Sequence, residues 1–117
     1  MSFVRRNEER IVGRECVKGG PGEIEAHKIL NTPEEFFGKG RLFNHIFVEP
    51  GVAVGWHIHN GDGEIYYILK GEGEYSDNGK KVTVRAGDVT SVSDGEGHSL
   101  LNTGSETMEV IALILYA

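Results

Sequence analysis

Short runs rich in Val, Ile, Phe and Tyr alternate along the chain with glycines and other turn-forming residues, the punctuation of many short strands. The pattern predicts strands at Leu42–Val48, Val52–His59, Glu64–Leu69, Gly73–Tyr75, Lys81–Val84, Val89–Ser93, His98–Asn102 and Glu109–Tyr116. Eight strands of this kind suit an all-β jelly-roll barrel. Asn78-Gly79 tolerates positive φ and joins the fourth and fifth strands as a hairpin. Thr32-Pro33-Glu34-Glu35-Phe36-Phe37 predicts one helical turn, with Thr32 as cap, Pro33 at the first helical position, and Phe36 or Phe37 packed on the barrel. Residues 1–40 otherwise read as an N-terminal arm before a barrel of residues 41–117, with an extra strand available in Gly22–Leu30. The whole chain of 117 residues is expected to form one domain.

Two segments break the alternation. Ile65–Leu69 and Val110–Tyr116 are apolar on both faces, whereas a strand with one wet face should alternate. Something must cover the outer face, either the arm or a second subunit across a two-fold axis, and a homodimer is the expectation.

Charge and cysteine usage narrow the function classes. Twelve Lys and Arg against 18 Asp and Glu give a net charge of −6 and no basic face, which argues against nucleic acid. A single cysteine, Cys16, excludes an intramolecular disulfide and suits a reducing cytoplasm; a small buried hydrophobe is its expected role. The opening Met-Ser-Phe-Val-Arg-Arg runs into charge, and the longest apolar run is too short to span a bilayer, so no leader and no membrane are expected.

The candidate chemistry lies in the barrel. His57 and His59 are two apart, so in a strand they share a face and can bind one ion. Asn60-Gly61-Asp62-Gly63 then reverses the chain and brings Glu64 alongside them. Tyr66 and Ile68 share the face of Glu64, so this carboxylate enters an apolar interior, where an uncompensated charge costs several kcal/mol, on the order of a buried-ion penalty. A metal compensates it. His98, after the turn Ser93–Gly97, is the best fourth ligand. Tyr66 is the candidate donor or acid beside the metal, with core packing as its alternative. Trp56 has the opposite parity to His57 and should face outward. His45, alternating with Phe43 and Phe47, is open to a proton-carrying role inside the barrel; His27 is weaker. Asn102 is expected to hydrogen-bond backbone at a strand end.

These residues resemble the motifs of the cupin family. Gly51, His57, His59, Glu64 and Gly71 meet its first motif, and Gly87, Gly95, His98 and Asn102 meet its second; Ser93 stands where the family has proline, which loosens that turn. The resemblance implies the double-stranded β-helix form of the jelly roll and reaction types that include decarboxylases, dioxygenases, isomerases and lyases. Three imidazoles and one carboxylate without thiolate suit one divalent transition metal: Mn, Fe, Co, Ni or Zn. The first shell then carries a net charge of about +1, which favours a small anionic ligand such as an α-keto or dicarboxylic acid. The expected function is metal-dependent catalysis on a small carboxylic or oxygenated substrate; the alternative is a non-catalytic ligand-binding module.

Overall fold

The computed structural model describes residues 2–117. Its ten strands are β1 (Val12–Glu15), β2 (Ile24–Lys28), β3 (Gly40–Val48), β4 (Ala53–Ile58), β5 (Asp62–Lys70), β6 (Glu72–Asp77), β7 (Lys80–Arg85), β8 (Val89–Val92), β9 (Gly97–Leu101) and β10 (Met108–Tyr116). They form a six-stranded sheet, β1-β2-β3-β10-β5-β8, and a four-stranded sheet, β4-β9-β6-β7. Every pairing is antiparallel. This is the jelly-roll arrangement, in which two facing sheets enclose one interior.

Eight of the strands fall on the predicted runs, and β2 falls inside Gly22–Leu30. The short β1 has no buried residue, so no hydrophobic alternation marks it in the sequence. Its place is fixed by pairing with β2, which itself pairs with β3; the arm thus extends the six-stranded sheet. The Asn78-Gly79 turn takes φ of 52° and 96° between β6 and β7, as a two-residue hairpin requires. The helical turn is a 3-10 turn over Pro33–Phe36. Thr32 flanks it without a side-chain capping bond, Phe36 is buried, and Phe37, in the left-handed region, is exposed.

Register sets what lies beside what in the interior. Across the six-stranded sheet, Asn44 of β3 is opposite Ala112 of β10, which is opposite Tyr66 of β5. The next inward-facing row is Ile46, Val110 and Ile68, and Val48 is paired with Met108 beyond it. These larger apolar side chains, with Leu100 of β9 and Val84 of β7, fill one end of the barrel. Asn102 closes that end: its amide donates to the Val48 and Glu106 carbonyls at 2.8 Å each and accepts from the Gly104 N–H at 2.8 Å. It stays out of the site, as its position at a strand end suggested.

The outer face of the six-stranded sheet carries the odd-numbered residues of β3. His45 therefore points away from the interior, bonding Glu109 at 3.0 Å and stacking on Phe47, and His27 bonds Glu25 beside it. Neither is a proton carrier inside the barrel. Cys16 is also corrected: it is exposed rather than buried, with its thiol bonded to the Gly20 carbonyl.

Candidate metal centre

His57, His59, Glu64 and His98 come together inside the other end of the barrel, with one ligand atom from each lying within 4.8 Å of all the others. Two features of the chain produce this. The first is a β-bulge in β4. Val54 pairs with Leu100 and His57 with His98, so Gly55 and Trp56 oppose Ser99 alone. The extra residue lets Val54 and His57, three apart, both face inward. Trp56 and Ile58 face out and are about half exposed.

The second is the Asn60–Gly63 turn. It does not close a hairpin within one sheet: β4 and β5 belong to opposite sheets, so Glu64 faces the histidines across the barrel rather than alongside them. The turn crosses over because β5 pairs with β10 and β8, while β4 pairs with β9.

Each imidazole is oriented through its Nδ1. That of His57 donates to the Gly55 carbonyl at 2.8 Å and that of His59 to the Asp62 carboxylate at 2.7 Å, while that of His98 bonds the Tyr75 hydroxyl at 2.8 Å. A carbonyl and a carboxylate only accept, so neutral His57 and His59 carry their lone pairs on Nε2. The three Nε2 atoms face one another, at 3.1 Å for His98–His57 and 3.2 Å for His98–His59, and Glu64 Oε1 lies 2.9 Å from His98 and 3.1 Å from His59. Imidazole nitrogens and a carboxylate oxygen crowded at these distances, with the lone pairs of His57 and His59 turned toward one point, form a donor set that fits a divalent transition metal.

Electrostatics agree. Burial pushes the Glu64 carboxyl up, but bonds from His57 and His98 overcome this and hold it at about 2, so it is ionised. Burial lowers His98 despite Glu64. Burial also opposes charge on His57, yet the Glu64 carboxylate and the Gly55 carbonyl outweigh it and raise that imidazole. Tyr66 stacks on His98, with ring centroids 4.9 Å apart and planes 15° apart, and burial followed by the Glu64 charge pushes its phenol well above the usual range. Tyr66 is thus a protonated hydroxyl beside the cluster. Burial raises Tyr75 to about 12.

The sequence did not reveal the groups that hold these histidines in place. Asp62, which orients His59, is itself gripped by Arg41 at 2.7 Å. Its signal was available: two residues before Glu64, it shares that face. Tyr75 gave none, because its contact with His98 depends on the pairing of β6 with β9.

The turn before His98 is fastened differently from the proline form rather than loosened. The Ser93 N–H, which proline would lack, donates to the Glu96 carboxylate at 2.8 Å, and the Glu96 N–H returns to the Ser93 carbonyl at 3.0 Å.

The residues between β1 and β2 roof the site. Gly55 N–H donates to the Val17 carbonyl and Ala53 N–H to the Pro21 carbonyl, each at 3.0 Å. A β-carbon at Gly55 would collide with the Lys18 carbonyl, and one at Gly20 with Ala53, so glycine permits this close approach. Beneath the roof is a cavity of about 340 Å³, into which His57, Glu64 and Tyr66 open beside Asn44, Lys18 and Arg41.

Two facing antiparallel sheets around three imidazoles and one carboxylate define a class of barrel proteins equipped to hold a transition metal. The chain belongs to the cupin family, whose cupin domain model matches residues 44–114. It is 46% identical over 99 residues to the oxalate-binding protein of Thermotoga maritima, covering 85% of this chain and 81% of that protein. The crystal structure of a predicted oxalate decarboxylase from Thermotoga maritima superposes with a TM-score of 0.91 at 43% identity, over 98% of this chain and 100% of that one. KdgF from Halomonas sp. shares the fold at 19% identity, with a TM-score of 0.74 over 100% of this chain and 96% of that one.

Proposed function

We propose that His57, His59, Glu64 and His98 hold one divalent transition metal (Mn, Fe, Co, Ni or Zn), and that the protein is a metal-dependent enzyme acting on a small carboxylic acid. The observation that carries this reading is the convergence of three Nε2 atoms and one carboxylate oxygen, with the Nδ1 atoms engaged elsewhere. When bound, the metal supplies Lewis-acid polarisation or oxygen activation at a carboxylate or carbonyl. The chain's own residues do the rest. The ionised Glu64 limits the net charge to about +1, which favours an anion. Tyr66 keeps its proton beside the site and donates a hydrogen bond to a ligand oxygen, and the segment 16–23 over Gly55 covers the cavity.

Elemental analysis of the isolated protein tests the metal. Finding none, and none taken up from a panel of divalent ions, overturns the reading. Oxygen uptake or CO₂ release against a panel of small acids tests the enzyme. Unchanged turnover in Tyr66→Phe removes the role given to Tyr66.

The second reading is a non-catalytic module in which the metal orients a small anion, and it is favoured by the relative known as an oxalate-binding protein. Tight binding of such an acid without turnover selects it.

We further infer a homodimer. Tyr67, Leu69 and Leu115 on the outer face of the six-stranded sheet remain 46%, 41% and 40% exposed, so the arm does not cover them. A second copy of the same sheet across a two-fold axis suits this patch. A monomer by light scattering at working concentration overturns this. No helix of the described residues is long and apolar enough to cross a membrane. The single cysteine supports placement in the cytoplasm.

A further inference from the structure

Two of the three imidazoles have the place of their ring hydrogen decided by their partners, since a carbonyl and a carboxylate only accept. His98 does not. Its Nδ1 lies 2.8 Å from the Tyr75 hydroxyl, which can donate or accept, and its Nε2 lies 2.9 Å from Glu64 Oε1. A neutral imidazole carries one hydrogen. If Tyr75 donates, that hydrogen sits on Nε2, bonded to Glu64, and His98 turns no lone pair toward the cluster. If His98 donates from Nδ1, its Nε2 becomes a donor atom like those of His57 and His59, but the Tyr75 hydrogen then needs an acceptor of its own.

Thr90 of β8 is placed to be that acceptor. It is opposite Tyr66 in β5 and shares its inward face, while the Tyr66 and Tyr75 rings meet edge-on with centroids 6.2 Å apart. Tyr75 and Thr90 both line a cavity of about 350 Å³ between β7 and β8, the edge strands at which the two sheets part. Burial raises the Tyr75 phenol and the Thr90 hydroxyl opposes that rise, whereas Asp77, Glu64 and Glu96 reach it through their charge. Yet Thr90 Oγ1 is buried without a hydrogen-bond partner of good geometry among the described residues. A buried hydroxyl left unpaired is costly and uncommon.

We propose that Thr90 positions His98 through Tyr75: Thr90 Oγ1 accepts the Tyr75 hydrogen, the Tyr75 oxygen accepts the Nδ1 hydrogen of His98, and the Nε2 lone pair of His98 is thereby turned toward the same point as those of His57 and His59. This rests on the reading of the four residues as a metal centre, and adds the residue that makes His98 its third imidazole donor. Thr90 is a positioning residue, doing for His98 through Tyr75 what Arg41 does for His59 through Asp62.

The test is metal affinity, for zinc or, where zinc does not bind, manganese, measured by competition with a chromogenic chelator. Thr90→Val keeps the shape of the side chain and loses the acceptor. It weakens the metal by about 3- to 10-fold, what one uncharged hydrogen bond is worth. Thr90→Ser restores the oxygen and stays within about twofold of wild type on the same scale. In a Tyr75→Phe background, where the link is already cut, Thr90→Val changes the affinity by less than about twofold, a non-additivity that lost packing would not produce. Should Thr90→Val not fold, Thr90→Ala carries the measurement. Affinity in the Thr90 variant within about twofold of wild type, or an equal loss with and without the Tyr75 hydroxyl, overturns the role of Thr90 and leaves the proposed metal centre standing. Wild-type protein that binds neither ion removes the metal reading and this inference with it.

Discussion

The two ends of the barrel interior are built by the same strands and held by different forces. β5 carries Glu64 and Tyr66 at one end and Ile68 at the other; β9 carries His98 and then Leu100; β10 carries Ala112 and Met108. His98 and Leu100 are both fully buried, two residues apart on one face of one strand. At the apolar end the contacts are non-directional, and side chains of similar volume exchange at modest cost. At the polar end each imidazole has a named partner: Gly55 for His57, Asp62 for His59, Tyr75 for His98. Burial therefore does not mark the site. What marks it is buried nitrogen and oxygen whose partners turn the remaining lone pairs toward one point.

The sharpest way to break this comparison is to truncate one residue at each end of β9. Leu100→Ala should cost about 2–5 kcal/mol of unfolding free energy, read by denaturant titration, with metal content per folded molecule unchanged. His98→Ala should abolish stoichiometric metal binding, read by elemental analysis, and leave the apolar end folded. If both variants lost metal and stability alike, the two ends would not be separable.

Metal removal comes next. With metal at a hundredfold excess over its dissociation constant, binding adds about 2.7 kcal/mol, on the order of 10 °C in melting temperature for a chain of this size. A chelator should take that increment from wild type and from Leu100→Ala equally, and nothing from His98→Ala. Asp62→Asn tests the partner rule. It should lower metal affinity by about 10- to 100-fold, measured by competition with a chromogenic chelator, because the amide orients His59 less strongly than the carboxylate.

The smallest effect is expected at the turn before His98. Ser93→Pro removes the N–H bonded to Glu96, and that N–H is the leading cause holding the Glu96 carboxyl below its ordinary value of 4.5. A depressed carboxyl adds stability above its unfolded value and loses it as pH falls through the folded one. Thermal melts should therefore show Ser93→Pro below wild type at neutral pH and level with it in acid.

The strands and the pairing of His57 with His59 on one face were legible in the sequence because both follow from period two and turn chemistry. His57 and His59 share a face wherever the strand lies, and Asn78-Gly79 closes a hairpin whatever surrounds it. The positions of Glu64, Asn44 and His45 relative to those histidines were not legible. Each depends on which sheet its strand joins, and a one-residue slip reverses every side chain. The turn from His59 to Glu64 reads like a hairpin and crosses between the sheets. The phase of β3 sends His45 outward and Asn44 inward.

The sequence by itself determined the class of fold and singled out His57, His59, Glu64 and His98 as a set of nitrogen and oxygen donors, since these rest on local spacing, motif and the chemistry of side chains. Only the tertiary structure decided that a bulge at Gly55 aims His57 inward and that Asp62 and Tyr75 hold the other imidazoles. The reason is physical: hydrogen bonds and cavities form between strands far apart along the chain, and sheet register fixes which atoms meet.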